Sequence, residues 1–236
     1  MTDADPEPGV GVVVVAAGSG SRLGAGVPKA FVAIGGERIV DRAVRGALAV
    51  RAVSQVVVVV PAAYVQGEAG DLAAVHPEPG PVARVTVVAG GAERTDSVRA
   101  GLAALDAACA IVLVHDAARC LTPAGVYDRV IAAVRAGDEA VVPGLPVVDT
   151  MKVVDADGLV LLTPERARVR AIQTPQGFTR AALDRAHASG QLATDDAALA
   201  EACGIPVRVV LGDPLALKVT TPEDLAYAER LLEGAR

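Results

Sequence analysis

The densest set of groups able to handle phosphate lies near the start of the chain. Val15-Ala16-Ala17-Gly18-Ser19-Gly20-Ser21-Arg22-Leu23-Gly24 follows an apolar run and leads into Val27-Pro28-Lys29. Small residues let backbone approach a ligand closely, and successive amide N–H groups in such a turn can cradle phosphate oxygens. Glycine also serves an ordinary tight strand-to-helix turn, so it is Arg22 and Lys29 that tilt the segment toward an anionic ligand. Two familiar phosphate loops are excluded by spacing. Lys29 sits between Pro28 and Ala30, which breaks the P-loop pattern, and Gly18, Gly20 and Gly24 miss the last interval of the dinucleotide fingerprint.

Two further segments carry suitable chemistry. Gly90-Gly91 follows the run Val85 to Val88, and Arg94 and Ser97 stand at the start of the next helical stretch, where Ser97 or Thr95 could also act as a simple helix cap. Asp116 comes directly after Ile111 to Val114. A carboxylate at a strand's end can bind Mg²⁺, which prefers oxygen ligands shared with substrate phosphates, or can cap the turn that follows. His115, beside an apolar strand, is read as a packed neighbour without a catalytic role.

The elements that must position these groups follow from the alternation of short β-branched runs with alanine-rich amphipathic stretches. Strands are expected at Val12 to Val15, Val56 to Val60, Val85 to Val88, Ile111 to Val114 and Ala140 to Val142. Helices are expected at Asp41 to Ala49, Ser97 to Leu105, Pro123 to Arg135 and Thr179 to Ala188. The strand runs are continuously apolar, as expected when helices cover both faces of a mostly parallel sheet, so the fold class is α/β and doubly wound. Between 147 and 174 the rhythm changes: two strand-like runs flank Asp155-Ala156-Asp157-Gly158, which reads as a β-hairpin arm projecting from a single domain spanning 1–236. Thr221-Pro222-Glu223-Asp224 opens the last helix, with Thr221 as cap and Pro222 at the first position.

Composition narrows the partners. With 22 Lys and Arg against 28 Asp and Glu, the net charge is −6, and only 2% of residues are aromatic, so neither a basic footprint nor a stacking platform for a nucleic-acid polymer is evident. No apolar run nears the roughly 20 residues that cross a bilayer. Residues 1–9 are acidic and proline-bearing, unlike a secretory signal, and read as a flexible tail. Cys109, Cys120 and Cys203 form no metal or disulfide pattern, which suits a cytoplasmic protein with reduced thiols.

Taken together the blocks resemble the 2-C-methyl-D-erythritol 4-phosphate cytidylyltransferase family. The resemblance rests on Ala16-Ala17-Gly18-Ser19-Gly20-Ser21-Arg22 with Pro28-Lys29, on Gly90-Gly91-Ala92-Glu93-Arg94-Thr95-Asp96-Ser97-Val98, and on His115-Asp116-Ala117-Ala118-Arg119. It continues through Asp149-Thr150, Gln173-Thr174-Pro175-Gln176 and Lys218-Val219-Thr220-Thr221-Pro222-Glu223-Asp224, in family order over nearly the whole chain. Cys120, Ala92 and Ala216 depart from residues common in the family, Ala92 where an acid is frequent, without removing any of the charged groups proposed for the site.

The resemblance implies a Rossmann-like nucleotidyltransferase fold, CTP and a polyol phosphate as substrates, and a divalent cation, Mg²⁺, on Asp116. It implies catalytic roles for Arg22, Lys29, Arg166 and Lys218, and nucleotide contacts from Ala16, Ala17, Gly18, Gly20, Gly91, Arg94, Ser97 and Ala117. Asp116, Arg119, Thr150 and Thr174 would contact substrate. It further implies a homodimer in which the arm carries Thr150 and Arg166 to the neighbouring site. The reaction expected is attack by a phosphate oxygen on the α-phosphorus of CTP. A phosphate monoester is mostly ionised at pH 7, so no general base is required. A ribitol 5-phosphate cytidylyltransferase and a non-catalytic nucleotide-binding protein are the competing readings.

Overall fold

The computed structural model describes residues 9–18, 26–73, 83–191 and 193–234. Its sheet is built on β1 (Gly9–Val15), β4 (Val53–Val60), β5 (Arg84–Ala89), β6 (Cys109–Asp116) and β7 (Ala140–Pro146), completed by β10 (Arg170–Ile172), β11 (Gln176–Thr179) and β12 (Val207–Leu211). The strand order is β10-β7-β11-β6-β1-β4-β5, with β12 also paired to β7. The β1, β4, β5 and β6 pairings are parallel, as is β12 with β7, whereas β11 runs antiparallel between β6 and β7. All five expected strands are present. The antiparallel β11 has no clear counterpart in the apolar pattern because Gln176-Gly177-Phe178-Thr179 holds one large apolar side chain.

Both faces of the sheet are covered, which is why its strands read as unbroken valine runs. Val10, Val12 and Val14 pack on one side with Ile39, Val40 and Val44 of α1 (Ile39–Leu48) and Val130 and Ile131 of α4 (Ala124–Arg135). Val13, Val57 and Val59 pack on the other side with Val98 and Leu102 of α3 (Arg94–Ala104) and Leu183 of α5 (Arg180–Ala188). Two helices lie outside the expected set, α2 (Val65–Ala73) and α6 (Asp196–Ala202). Two small hairpins complete the structure: β2 (Ala33–Ile34) with β3 (Glu37–Arg38), and the expected arm, β8 (Val153–Val154) with β9 (Val160–Leu162). Gly158, at φ +83°, makes the arm's turn.

The final helix, α7 (Pro222–Glu233), is capped as its sequence foretells: Asp224 N donates to Thr221 Oγ1 while Asp224 returns the contact to the Thr221 N–H. The tail expectation is corrected at one residue, since Gly9 already belongs to β1; residues 1–8 lie outside the described residues. No helix among the described residues is long and apolar enough to cross a membrane.

Helix α3 packs directly against the sheet at Gly101. A Cβ at Gly101 would collide with Val13 and stand 3.0 Å from Val59, so the helix can seat this deeply only with glycine there. This contact sets the height of the residues at the helix's first turn. Gly101→Val should therefore lower the unfolding free energy by about 3 kcal/mol through overpacking. A shifted urea midpoint with unchanged slope would report it.

Candidate active site

Strand register lines up the carboxyl ends of four parallel strands. Val15 pairs with both Val59 and Asp116, and Val60 pairs with Ala89. The Ala16–Gly18 segment, Gly90-Gly91 and Asp116 consequently leave the sheet at one level, the edge where open α/β sheets bind ligands. Ala16 N donates to Val59 O at 2.8 Å, and Gly90 N donates to Val60 O at 2.8 Å, so both loops start from fixed backbone. A Cβ on Gly90 would come within 2.5 Å of Ala17 Cβ and 2.7 Å of Ser97 Oγ. The first loop and the start of α3 touch there because position 90 has no side chain.

Helix α3 begins three residues earlier than the sequence pattern suggests. Glu93 is its N-cap residue, and Asp96 accepts from the Glu93 N–H at 3.2 Å. Neither Ser97 nor Thr95 is the cap. Ser97 Oγ instead accepts from Gly91 N and donates to Glu93 O, both at 3.2 Å, which ties the glycine loop to the helix. The early start matters because it puts Arg94 on the helix's first turn.

Asp116 is the hub of the cleft. Lys218 Nζ stands 2.7 Å from its Oδ2, and Arg94 Nη2 stands 3.6 Å from its Oδ1. Burial alone would raise its pKa, but Arg94, Lys218 and Arg119 overcome that and hold it at about 2, so it is an anion at neutral pH. Its backbone N–H donates to Thr174 Oγ1 at 3.0 Å, and the same hydroxyl bonds His115 Nδ1 at 3.0 Å. His115 is fully buried, and burial pushes its pKa down to about 4, which keeps the ring neutral at pH 7.

Arg119 and Gln173 hold the loop that presents Lys218. Arg119 Nη1 donates to Ala216 O at 2.6 Å and Nη2 to Ile172 O at 3.2 Å, while Val219 N donates to Ala118 O at 2.9 Å. Gln173 clamps Asp213 from both sides, donating to its carbonyl at 2.8 Å and accepting from its N–H at 3.0 Å. Thr174 and Gln173 are buried, so in this conformation their polar groups serve the protein's own framework. Ala117 is buried in the turn after β6.

The structure thus unites Ala16, Ala17, Gly18, Gly91, Arg94, Ser97, Asp116, Ala117, Arg119, Thr174 and Lys218 around one edge of the sheet. Lys29 opens a short 3-10 turn, Lys29–Phe31, just beyond the first loop. Gly20 and Arg22 lie outside the described residues. Thr150 and Arg166 belong to the arm: Thr150 is exposed, and Arg166 Nη1 donates to Val148 O at 2.8 Å. Pro146, Val148, Arg166 and Arg170 help line a separate open cavity of about 720 Å³ at the arm's base.

Sequence reasoning missed one group. Asp195 and Asp196 begin α6, and Asp196 turns inward, fully buried, to meet Arg94 Nη1 at 2.8 Å and His187 Nε2 at 2.9 Å. The available signal was the pair of acids before an alanine-rich helical run, a pattern that serves as readily for capping. Asp195 does cap, accepting from Ala198 N at 2.9 Å.

A doubly wound sheet, a small-residue loop and a cluster of fixed cations around one carboxylate define a nucleotidyltransferase-type α/β protein. The family of 2-C-methyl-D-erythritol 4-phosphate cytidylyltransferases matches residues 10–234, and the chain belongs to that family. The protein of that name from Nocardia farcinica is 54% identical over 233 residues, covering 99% of this chain and 98% of the relative. The one from Rhodococcus opacus is 53% identical, covering 91% of each. Among solved structures, the 2-C-methyl-D-erythritol 4-phosphate cytidylyltransferase of Thermus thermophilus superposes with a TM-score of 0.73 at 34% identity, covering 95% of this chain and 99% of that one. The 4-diphosphocytidyl-2C-methyl-D-erythritol synthase of Anaerococcus prevotii gives a TM-score of 0.83 at 27% identity, covering 95% and 96%.

Arg119 offers a direct check on how the cleft is held together. Arg119→Ala would strand two carbonyls and free the segment before Lys218, so unfolding free energy should fall by about 3 kcal/mol. Urea denaturation followed by circular dichroism measures this; an unchanged midpoint would show that the two bonds carry little.

Proposed function

We propose that the cleft transfers CMP from CTP to 2-C-methyl-D-erythritol 4-phosphate, giving 4-diphosphocytidyl-2-C-methyl-D-erythritol and pyrophosphate. The observation that carries this reading is the cluster of Asp116, Lys218 and Arg94 at the level of the Ala16–Gly18 loop, in a chain of this family. The relatives named above point to the methylerythritol acceptor over ribitol 5-phosphate. Their transferase names also favour catalysis over nucleotide binding alone.

In this mechanism an oxygen of the polyol phosphate bonds to the α-phosphorus of CTP. The bond from that phosphorus to the oxygen bridging the β-phosphorus breaks, and its electron pair leaves with pyrophosphate. The nucleophile is already ionised near neutral pH, so the protein's task is positioning and charge stabilisation. Backbone of Ala16, Ala17, Gly18, Gly20 and Gly91, with Arg94, Ser97 and Ala117, holds the nucleotide. Arg22 and Lys29 are the cations assigned to the triphosphate by the family resemblance. Lys218 orients the acceptor phosphate, with Arg119 and Thr174 lending hydrogen bonds.

Asp116 is the carboxylate that would hold Mg²⁺. Among the described residues no group of three or more His, Cys, Asp or Glu could hold a metal alone. Mg²⁺ commonly takes one or two protein carboxylates and completes its shell with phosphate oxygens and water. Each Asp116 oxygen facing a cation also keeps a second lone-pair direction. The ion would neutralise charge on the phosphates.

The arm is the proposed dimer contact. Val148 is 81% exposed and Leu159 67% exposed, and Leu161 and Leu162 add to the same uncovered apolar surface. An arm seated on a second copy would bring Thr150 and Arg166 to the neighbour's polyol phosphate. Three unpaired cysteines suit a reducing cytoplasm.

Pyrophosphate release, measured with CTP or UTP crossed with methylerythritol or ribitol phosphate, tests the substrates; turnover should require CTP and methylerythritol phosphate. Lys29→Ala should lower kcat by about 100-fold or more with little change in the acceptor's KM. Arg166→Ala should raise that KM instead. If Arg166 acts in trans, mixing these two impaired variants at low acceptor concentration should raise activity above that of either alone, because one site of each mixed dimer is then intact. Mixtures no more active than the average of their components would contradict the arm assignment.

A further inference from the structure

We infer that Asp196 is a positioning residue for the nucleotide site, acting through Arg94. The two residues come from distant parts of the chain, and Asp196 has no exposed surface. A carboxylate buried this completely is tolerated only when paired. Its partners divide its two oxygens: His187 Nε2 donates to Oδ1 at 2.9 Å, and Arg94 Nη1 meets Oδ2 at 2.8 Å. Nothing in nucleotide transfer requires a buried acid at the start of α6. The cation that it engages, however, is one that borders the cleft.

Arg94 is held at one end only. Its Nη1 is committed to Asp196, while Nη2, 3.6 Å from Asp116 Oδ1, is too far for a hydrogen bond and leaves donor capacity facing the cleft. Without Asp196, the nearest fixed anion would be Asp116. Arg94 would then collapse onto the carboxylate that Lys218 also engages, withdrawing from any ligand. Asp196 thus draws the guanidinium back to its working place.

The site around Asp196 is itself braced. Neighbouring Asp195 caps α6 and accepts from Gln176 Nε2 at 2.8 Å, and Gln176 Oε1 accepts from Ala197 N at 3.1 Å. Gln176 belongs to the same block as Thr174, which holds the backbone of Asp116. The two acids that flank Arg94 are therefore referenced to one short segment, 174–176.

The inference rests on the reading of Arg94 as a nucleotide contact, and a double-mutant cycle separates the two. Asp196→Asn should raise the KM for CTP, lowering kcat/KM for CTP by about 10-fold or more, as loss of a supporting partner commonly does, with the acceptor's KM little changed. In an Arg94→Ala background the same substitution should add nothing. A full additional loss there would overturn the inference and mark Asp196 as merely structural. If Asp196→Asn alone leaves the KM for CTP unchanged while Arg94→Ala raises it, only the inference falls. If Arg94→Ala itself has no effect on CTP, the nucleotide reading of Arg94 falls with it. Should Asp196→Asn fail to fold, Arg94→Met is compared with the double variant Arg94→Met, Asp196→Leu. Equal kcat/KM supports the inference, and a further drop contradicts it.

Discussion

The cleft depends on one buried anion. Asp116 leaves β6 at the edge of the sheet with its carboxylate largely out of water, a position that is costly for a charge without partners. Arg94 from α3 and Lys218 from the loop before α7 compensate it. These cations come from segments more than a hundred residues apart, so the cleft exists only once the fold has brought them together. Arg119 and Gln173 then occupy backbone groups of the Lys218 loop, reducing its freedom to move away from Asp116.

Glycines set how close the parts can approach. Gly101 lets α3 sink against Val13, and Gly90 lets the strand-end loop touch Ala17 and Ser97. Both contacts bring a helix's first turn, and with it Arg94, to the level at which Asp116 leaves the sheet. Their importance follows from steric contact across the sheet and not from turn geometry, since neither glycine has the positive φ that marks a left-handed turn.

Much of this was legible in the sequence. Valine runs gave away strands buried on both faces, and a Gly-containing turn gave away the arm. The position of Asp116 at a strand's end followed from the run before it. Other features lack a local signature. The first turn of α3 is Arg94-Thr95-Asp96, polar residues before the apolar-periodic stretch, so the pattern marks the helix from Ser97 although Arg94 already opens it. Strand β11 is short, with one large apolar residue between glycine and threonine, and is recognisable only once β6 and β7 flank it. Asp196 looks solvated in sequence because its partners, Arg94 and His187, are brought to it only by the fold. Of the 173–176 block only Thr174 is expected to contact substrate, and Gln173, Thr174 and Gln176 all bond to the protein's own backbone or side chains.

That last point bears on how the proposed chemistry is divided. The fold provides a neutral His115 and an ionised Asp116 at pH 7, so neither changes charge near the working pH. A reaction whose nucleophile is already an anion has no need of a titrating base in this place. What it needs is a set of cations whose positions do not drift as charge moves from the attacking phosphate to the departing pyrophosphate. Fixed anions are the means of fixing cations: Asp116 holds Lys218, and Asp196 holds the far side of Arg94. On this view the buried carboxylates are the framework of the site, and the cations between them are its working surface.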